Sequence, residues 1–307
     1  FHTKLITTHP IAKMEQDNVI HIEFDEHHAL EDATKIVKMA IDNFENRKAE
    51  VMIPQYKATQ IAGFGVESIE YHLGGTFRGT YYTLNDNIIN GRIRGIAGVV
   101  GCNNARTRHN EAHINVVKEL IKNDVLVLTT GCNGIACAME GLLTPETAQV
   151  FCGPGLAEVC EVVGIPPVLH LGSCVDNSRI LLAATEVVKA GGLGNDISDL
   201  PVAGSAPEWM SEKAISIGHY FVVSGVYTVF GVTLPTSGAP VFHDYISKEL
   251  EKIYGGMWDI EPDPIKHARL MIAHIDKKRK ALGIDKARDR VLMDMADRRE
   301  MEAAYQG

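Results

Sequence analysis

The chain of 307 residues is 45% hydrophobic and 22% charged, and carries 28 glycines and a formal net charge of -9; this is the balance of a globular protein with a substantial core. No long Lys/Arg run offsets that charge, which excludes nucleic acid and an anionic membrane surface as partners. No apolar stretch approaches the ~20 residues of a bilayer span and no secretory signal pattern is present, so the expected location is cytoplasmic.

The first element in chain order is a strand over Lys4 to Thr8. It begins almost at Phe1, with no methionine before it, as in a piece of a longer polypeptide. Leu30, Ala33, Ile36, Val37, Ala40, Ile41 and Phe44 then fall on one stripe of a helix. Residues 1–50 read as the tail of a preceding α/β domain, and residues 51–307 as a second domain whose first 40 or so positions show no strong period. From position 92 a rhythm takes over. "RIRGIAGVVGC" (92–102) is followed by a helical pattern over Ala112 to Lys122, and "DVLVLTTGC" (124–132) by one over Gly134 to Leu143. "PPVLHLGSC" (166–174) precedes a helix carrying Ile180, Leu181, Val187 and Val188, and "VYTVFGVTLP" (226–235) is a fourth strand candidate. A polar C-terminal helix closes the chain, with Lys277, Lys278, Arg279 and Lys280 on its solvated face.

Near-continuous apolar runs alternating with helices predict βαβ units, hence an α/β fold with a doubly wound, mostly parallel, Rossmann-like sheet. Its crossovers are right-handed, so every strand points its carboxyl end at one rim, where open α/β sheets bind ligands. Cys102, Cys132 and Cys174 each follow Gly or Gly-Ser at such an end. Cys174 also opens a helix, where unpaired N–H groups favour a thiolate. With no secretory signal, six cysteines read as metal ligands, redox thiols or packing residues rather than a disulfide framework. Three thiols from distant segments suit an iron-sulfur cluster better than zinc, which draws its ligands from local pairs.

The other candidates are weaker. Cys137 lies in the apolar helix "GIACAMEGLL", and Cys152 and Cys160 share a helix around "GPGLAEV"; all three read as packing residues. "GPGLAE" misses the dinucleotide fingerprint, with Glu158 in place of the third glycine and no strand before it. His109 and His113, four apart, could share a helix face, although hydrogen-bonded histidines are the commoner outcome. In "GSAPEWMSEKAISIGHYFVVSG" (204–225), Ser205, Pro207 and Glu208 read as a capping box. Trp209, Lys213 and Ile217 then line one helix face. A lysine in such company either snorkels to water or faces an anion.

The motifs "GVVGCNN", "DVLVLTTGC", "HLGSCVDNSRI" and "APEWMSEKAISIG" together resemble the anaerobic nickel-iron carbon monoxide dehydrogenases from "FHTKLITT" to about residue 235. The C-terminal extension resembles members that associate with acetyl-CoA synthase. The resemblance implies the C-terminal half of a catalytic subunit that oxidises CO with water to CO2, two protons and two electrons, reversibly. Residues 51–307 become its cluster-binding domain with a helical C-terminal extension. The expected cofactor is a Ni-4Fe-4S cluster, a nickel joined to a [3Fe-4S] framework and one outlying iron. Cys102 and Cys132 resemble cysteines on framework irons and Cys174 the nickel-binding cysteine. Lys213 resembles the lysine that stabilises the bound carboxylate, and Ile217 the apolar residue over the open nickel position. A histidine, two further cysteines and the [4Fe-4S] electron-transfer clusters are expected upstream of Phe1, so these residues alone are expected to be inactive. The implied partners are that missing portion, a second copy in a homodimer, an acetyl-CoA synthase subunit and a ferredoxin. The rivals are a hybrid-cluster hydroxylamine reductase, which has no counterpart of the Trp-to-Lys segment, and a non-catalytic docking module with structural cysteines.

Overall fold

The computed structural model describes residues 3–47, 52–76 and 78–286; the end of the expected C-terminal extension, 287–307, lies outside the described residues. The chain divides into two compact units, Phe1–Ala58 and Thr59–Gly307. In the first, β1 (Leu5–Thr7) pairs in parallel with β2 (Val19–His21), and α1 (Ala29–Asn43) carries the apolar stripe.

The second unit begins with two helices that the sequence pattern did not reveal, α2 (Val66–Leu73) and α3 (Tyr82–Ile89). The alternation then follows: β3 (Gly95–Val99), α4 (Glu111–Lys122), β4 (Val125–Thr129), α5 (Gly131–Met139), α6 (Thr147–Phe151), α7 (Pro154–Val163), β5 (Val168–His170) and α8 (Ser178–Ala190). After it come β6 (Val202–Ala206), α9 (Glu212–Val223), β7 (Thr228–Phe230), α10 (Pro240–Asp244), a π-helical turn at Tyr245–Glu249, α11 (Leu250–Tyr254), β8 (Trp258–Ile260) and α12 (Pro264–Ala281).

The six strands pair in the order β5-β4-β3-β6-β7-β8, all parallel. Every residue of β3 and β4 is buried, as expected of strands covered on both faces. The two faces can be told apart at β3 itself. A side chain on Gly98 would meet Ile180 and Phe221, of α8 and α9, whereas one on Gly95 would meet Ile275 of α12. Positions of opposite parity point to opposite faces, so the sheet is doubly wound. Strand order reverses between β3 and β6, which places the crevice of the fold beyond their carboxyl ends. Among the described residues no helix is long and apolar enough to cross a membrane.

Several expectations are corrected. The segment 204–225 is not one helix: Gly204 and Ser205 belong to β6, and α9 begins only at Glu212, preceded by Ser211. Val-Ala-Gly-Ser-Ala has weak strand propensity by composition, yet small residues are what this strand needs, since a Cβ on Gly204 would stand 2.9 Å from Thr228 Oγ1. The strand β8 was also missed, being three residues long. Helix α5 starts at Gly131, three positions before the expected start, so Cys132 lies inside its first turn. Cys152 and Cys160 do not share a helix, because Cys152 caps α6 and Cys160 belongs to α7.

Arg279 is not on a solvated face. Its guanidinium is buried and donates to Ile88 O (2.7 Å), Arg94 O (3.0 Å) and Ile284 O (2.6 Å), tying α12 to the end of α3 and the start of β3. Arg279→Leu would strip three carbonyls of a charged donor, and hydrogen bonds to charged groups contribute about 1.5–3 kcal/mol each. The expected loss is about 3 kcal/mol, allowing for partial relaxation. For a unit of this size that lowers the unfolding midpoint by roughly 6–12 °C, measured on the full-length protein by calorimetry.

Candidate metal centre

Each rim cysteine follows one of three neighbouring strands: Cys102 follows β3, Cys132 follows β4 and Cys174 follows β5. The fourth neighbouring strand, β6, delivers the loop that leads to Lys213. All six cysteines are free. Cys102, Cys132 and Cys174 are half-buried, whereas Cys137 and Cys160 lie in the core. Burial pushes the Cys137 and Cys160 thiols up to about 12, and raises Cys152, beside Cys160 and Asp124, as well. Those three stay protonated and pack, as the sequence suggested.

The loops at the rim are tied to one another by buried polar bonds. The Thr130 hydroxyl donates to Asn177 Oδ1, and the Gly131 amide donates to Gly172 O at 3.1 Å, linking the Cys132 and Cys174 turns. Gly131 has φ +59°, and a Cβ there would lie 3.2 Å from that of Cys174. Asn133, fully buried, donates to Val99 O (3.0 Å) and Thr129 Oγ1 (2.6 Å), which joins the start of α5 to the ends of β3 and β4. The Cys102 amide donates to Glu208 O at 3.0 Å. Glu208, itself fully buried, accepts from the Asn104 amide (3.4 Å) and the Thr107 hydroxyl (3.1 Å). Gly101, at φ +124°, makes this approach possible, since a Cβ would stand 2.2 Å from Glu208 O.

Glu208 is therefore a latch between the Cys102 turn and the β6–α9 loop rather than part of a capping box. Trp209 is likewise off the helix face assigned to it: it is buried and donates from Nε1 to Val232 O at 2.9 Å. His109 is exposed and precedes α4, so it shares no helix face with His113. His113 is fully buried and donates from Nε2 to Cys102 O at 2.8 Å. Burial holds its imidazole below the ordinary histidine range, against the opposing pulls of the Cys102 carbonyl, the Glu208 charge and Asn133.

Between these loops is a pocket of ≈ 70 Å³, room for several water-sized molecules. Cys102, Cys174, Ser205 and Lys213 are among its polar residues, with Asn177, Ser211 and Thr228; Ile217, Phe221 and Phe230 form much of its apolar wall. Lys213 Nζ donates to Cys174 Sγ at 3.3 Å, and Cys102 Sγ lies 3.9 Å from Ser211 Oγ. Lys213 is exposed and, one turn before Ile217, points its ammonium at a rim thiol. Below, the buried Ser205 hydroxyl donates to His267 Nε2 at 2.7 Å, and His267 Nδ1 donates to Glu261 O at 3.0 Å. Burial pushes His267 down to about 4, so it is the neutral acceptor this arrangement requires.

Of the residues singled out from the sequence, the structure brings Cys102, Cys174, Lys213 and Ile217 to one pocket and leaves Cys132 outside its lining; Asn133, Asn177, Ser205, Glu208 and His267 were not read as part of the site. Asn133, the one amide in the apolar stretch "GCNGIACAM", was the signal that could have been read. Among the described residues no three His, Cys, Asp or Glu side chains converge as they would on a single ion. The donors are instead spread along a rim, and that arrangement of half-buried thiols with a cation beside them fits thiolate ligation of an object several ions wide.

Residues 1–265 match the sequence profile of the Prismane/CO dehydrogenase family. Carbon monoxide dehydrogenase 1 of Methanosarcina mazei is 51% identical over 286 residues, which make up 93% of this chain and 44% of that protein. The Ni-free structure of the carbon monoxide dehydrogenase of Thermococcus sp. AM4, produced without the maturase CooC, superposes with a TM-score of 0.82 at 50% identity, over 92% of this chain and 44% of that one. An acetyl-CoA synthase/carbon monoxide dehydrogenase structure, described as holding NiZn[Fe4S4] and NiNi[Fe4S4] clusters in its alpha subunits, superposes with a TM-score of 0.83 at 32% identity, over 100% of this chain and 45% of that one. The chain spans less than half the length of each of these relatives.

Proposed function

Since this chain belongs to the Prismane/CO dehydrogenase family, we propose that it is the cluster-facing C-terminal part of a carbon monoxide dehydrogenase catalytic subunit. The reaction is CO + H2O → CO2 + 2 H⁺ + 2 e⁻. The observation that carries this reading is the placement of three half-buried thiols after the neighbouring strands β3, β4 and β5, along one rim of the sheet, with Lys213 Nζ 3.3 Å from one of them.

Cys102 and Cys132 would hold framework irons of a Ni-4Fe-4S cluster and Cys174 its nickel, with the remaining ligands supplied by the rest of the polypeptide. When bound, the group supplies a coordination position for CO, Lewis acidity toward water and a sink for two electrons. Among the described residues lining the pocket, Lys213 is the only Lys, Arg, Asp or Glu. Its ammonium offsets the negative charge that develops on oxygen as CO becomes CO2. Ile217, with Phe221 and Phe230, lines the same pocket with apolar surface that admits a diatomic gas and limits water. In this reading the electrons leave through [4Fe-4S] clusters held upstream, at the interface of a homodimer, toward a ferredoxin in the cytoplasm. The acetyl-CoA synthase complex among the structural relatives makes such a subunit the proposed recipient of CO.

The test is nickel and iron analysis of the full-length protein purified without oxygen, together with CO-dependent viologen reduction. Both metals with CO-dependent reduction support the proposal. Iron without nickel, with hydroxylamine reduction, would establish the hybrid-cluster alternative. Absence of both metals would leave a docking module.

A further inference from the structure

The Cys102 turn lies outside helix and strand, and Gly101 before it is in a conformation that gives the backbone little restraint of its own. Its geometry is therefore set by what its polar groups bind. The Cys102 amide is held by Glu208 O and its carbonyl by His113 Nε2. His113 can play that part because α4, which follows the turn directly, places it fully buried beneath the rim. With the Nε2 hydrogen committed to a carbonyl, the neutral ring keeps Nδ1 without one. Asn133, the residue after Cys132, is beside it and binds the last residue of β3.

We propose that His113 is a positioning residue for the cluster: its Nε2–H fixes the Cys102 carbonyl and thereby the direction in which the Cys102 sulfur enters the rim. This rests on the assignment of the rim thiols to an iron-sulfur-nickel group. A buried carbonyl that loses its donor is costly, so the peptide after Cys102 turns to find another. With the Cys102 amide fixed to Glu208 O and α4 following closely in the chain, that peptide has little room to turn alone, so its movement displaces the Cys102 α-carbon and the sulfur it carries. Cluster properties respond to such changes in ligand orientation and hydrogen bonding.

The experiment uses the full-length protein prepared without oxygen, and compares the parent with His113→Leu, His113→Gln and His113→Asn. A Gln amide reaches the position of Nε2 and an Asn amide that of Nδ1. Expected for His113→Leu are nickel and iron contents near the parent's, a shifted paramagnetic signature of the catalytic cluster, and kcat lowered by about tenfold with the KM for CO within about threefold. His113→Gln is expected to restore both signature and kcat, and His113→Asn to restore neither. A merely space-filling histidine would leave the signature of His113→Leu unchanged, and that result overturns the proposal; so does finding the Gln and Asn variants alike. Should the leucine variant fail to fold, the Gln/Asn pair decides by itself. A parent protein lacking nickel and the cluster signature would instead remove the functional reading on which this rests.

Discussion

Replacing Lys213 with alanine in the full-length protein is expected to lower CO-dependent turnover by at least about 10²-fold while nickel and iron contents stay near those of the parent. The magnitude follows from where the charge is. The ammonium, exposed at the mouth of the pocket, donates to Cys174 Sγ at 3.3 Å, and Ala206, Ala214, Ile217, Phe221 and Phe230 form the apolar part of the wall beside it. Apolar walls screen poorly, so one preorganised cation there acts on charge developing in the transition state far more strongly than it would in water. Metal content is expected to survive because the turns bearing the thiols are held by Thr130, Asn133 and Glu208, none of which involves Lys213. Lys213→Met keeps most of the apolar stem and removes the charged donor, so it should fall as far as the alanine variant. Turnover within about threefold of the parent, or a loss that tracks missing nickel, would remove Lys213 from the chemistry.

The rim was legible in the sequence because its signals are physical and local. An apolar run that ends in Gly-Cys or Gly-Ser-Cys before a helical stripe must deliver its cysteine to the carboxyl end of a parallel strand, and the strands β3, β4 and β5 do so. What held those turns together was not legible, since the ties join residues far apart in the chain: Thr130 to Asn177, Ser205 to His267, Cys102 to Glu208. The same cause misplaced the lysine helix. Ser-x-Pro-Glu has the form of a helix start, but β3 on one side and β7 on the other draw Val202–Ala206 into the sheet and leave Glu208 to latch the Cys102 turn. Tertiary pairing overrode a local preference. Arg279 shows the converse: three basic neighbours gave it the look of a solvated charge, while three backbone carbonyls on other segments made burial tolerable.

Cys174→Ala is expected to abolish CO oxidation, with a loss of more than about 10³-fold, and to do so by removing nickel while most of the iron remains. The asymmetry comes from how the rim is built. Cys102 and Cys132 stand on turns joined through Asn133 and the ends of β3 and β4, a tie in which the Cys174 side chain takes no part. The backbone around Cys174 is in turn held by Asn177 and by Gly172, so losing the sulfur leaves its turn in place. The substitution thus subtracts a soft donor and little else. Cys174→Ser supplies a harder oxygen at the same position, and soft-donor selectivity predicts that it will not recover nickel. Nickel retained at the parent's level would remove Cys174 from the ligand set, and loss of both metals together would move it to the iron framework. The measurement is metal analysis paired with viologen reduction on the same anaerobic preparation, so that the missing activity is read against the missing ion.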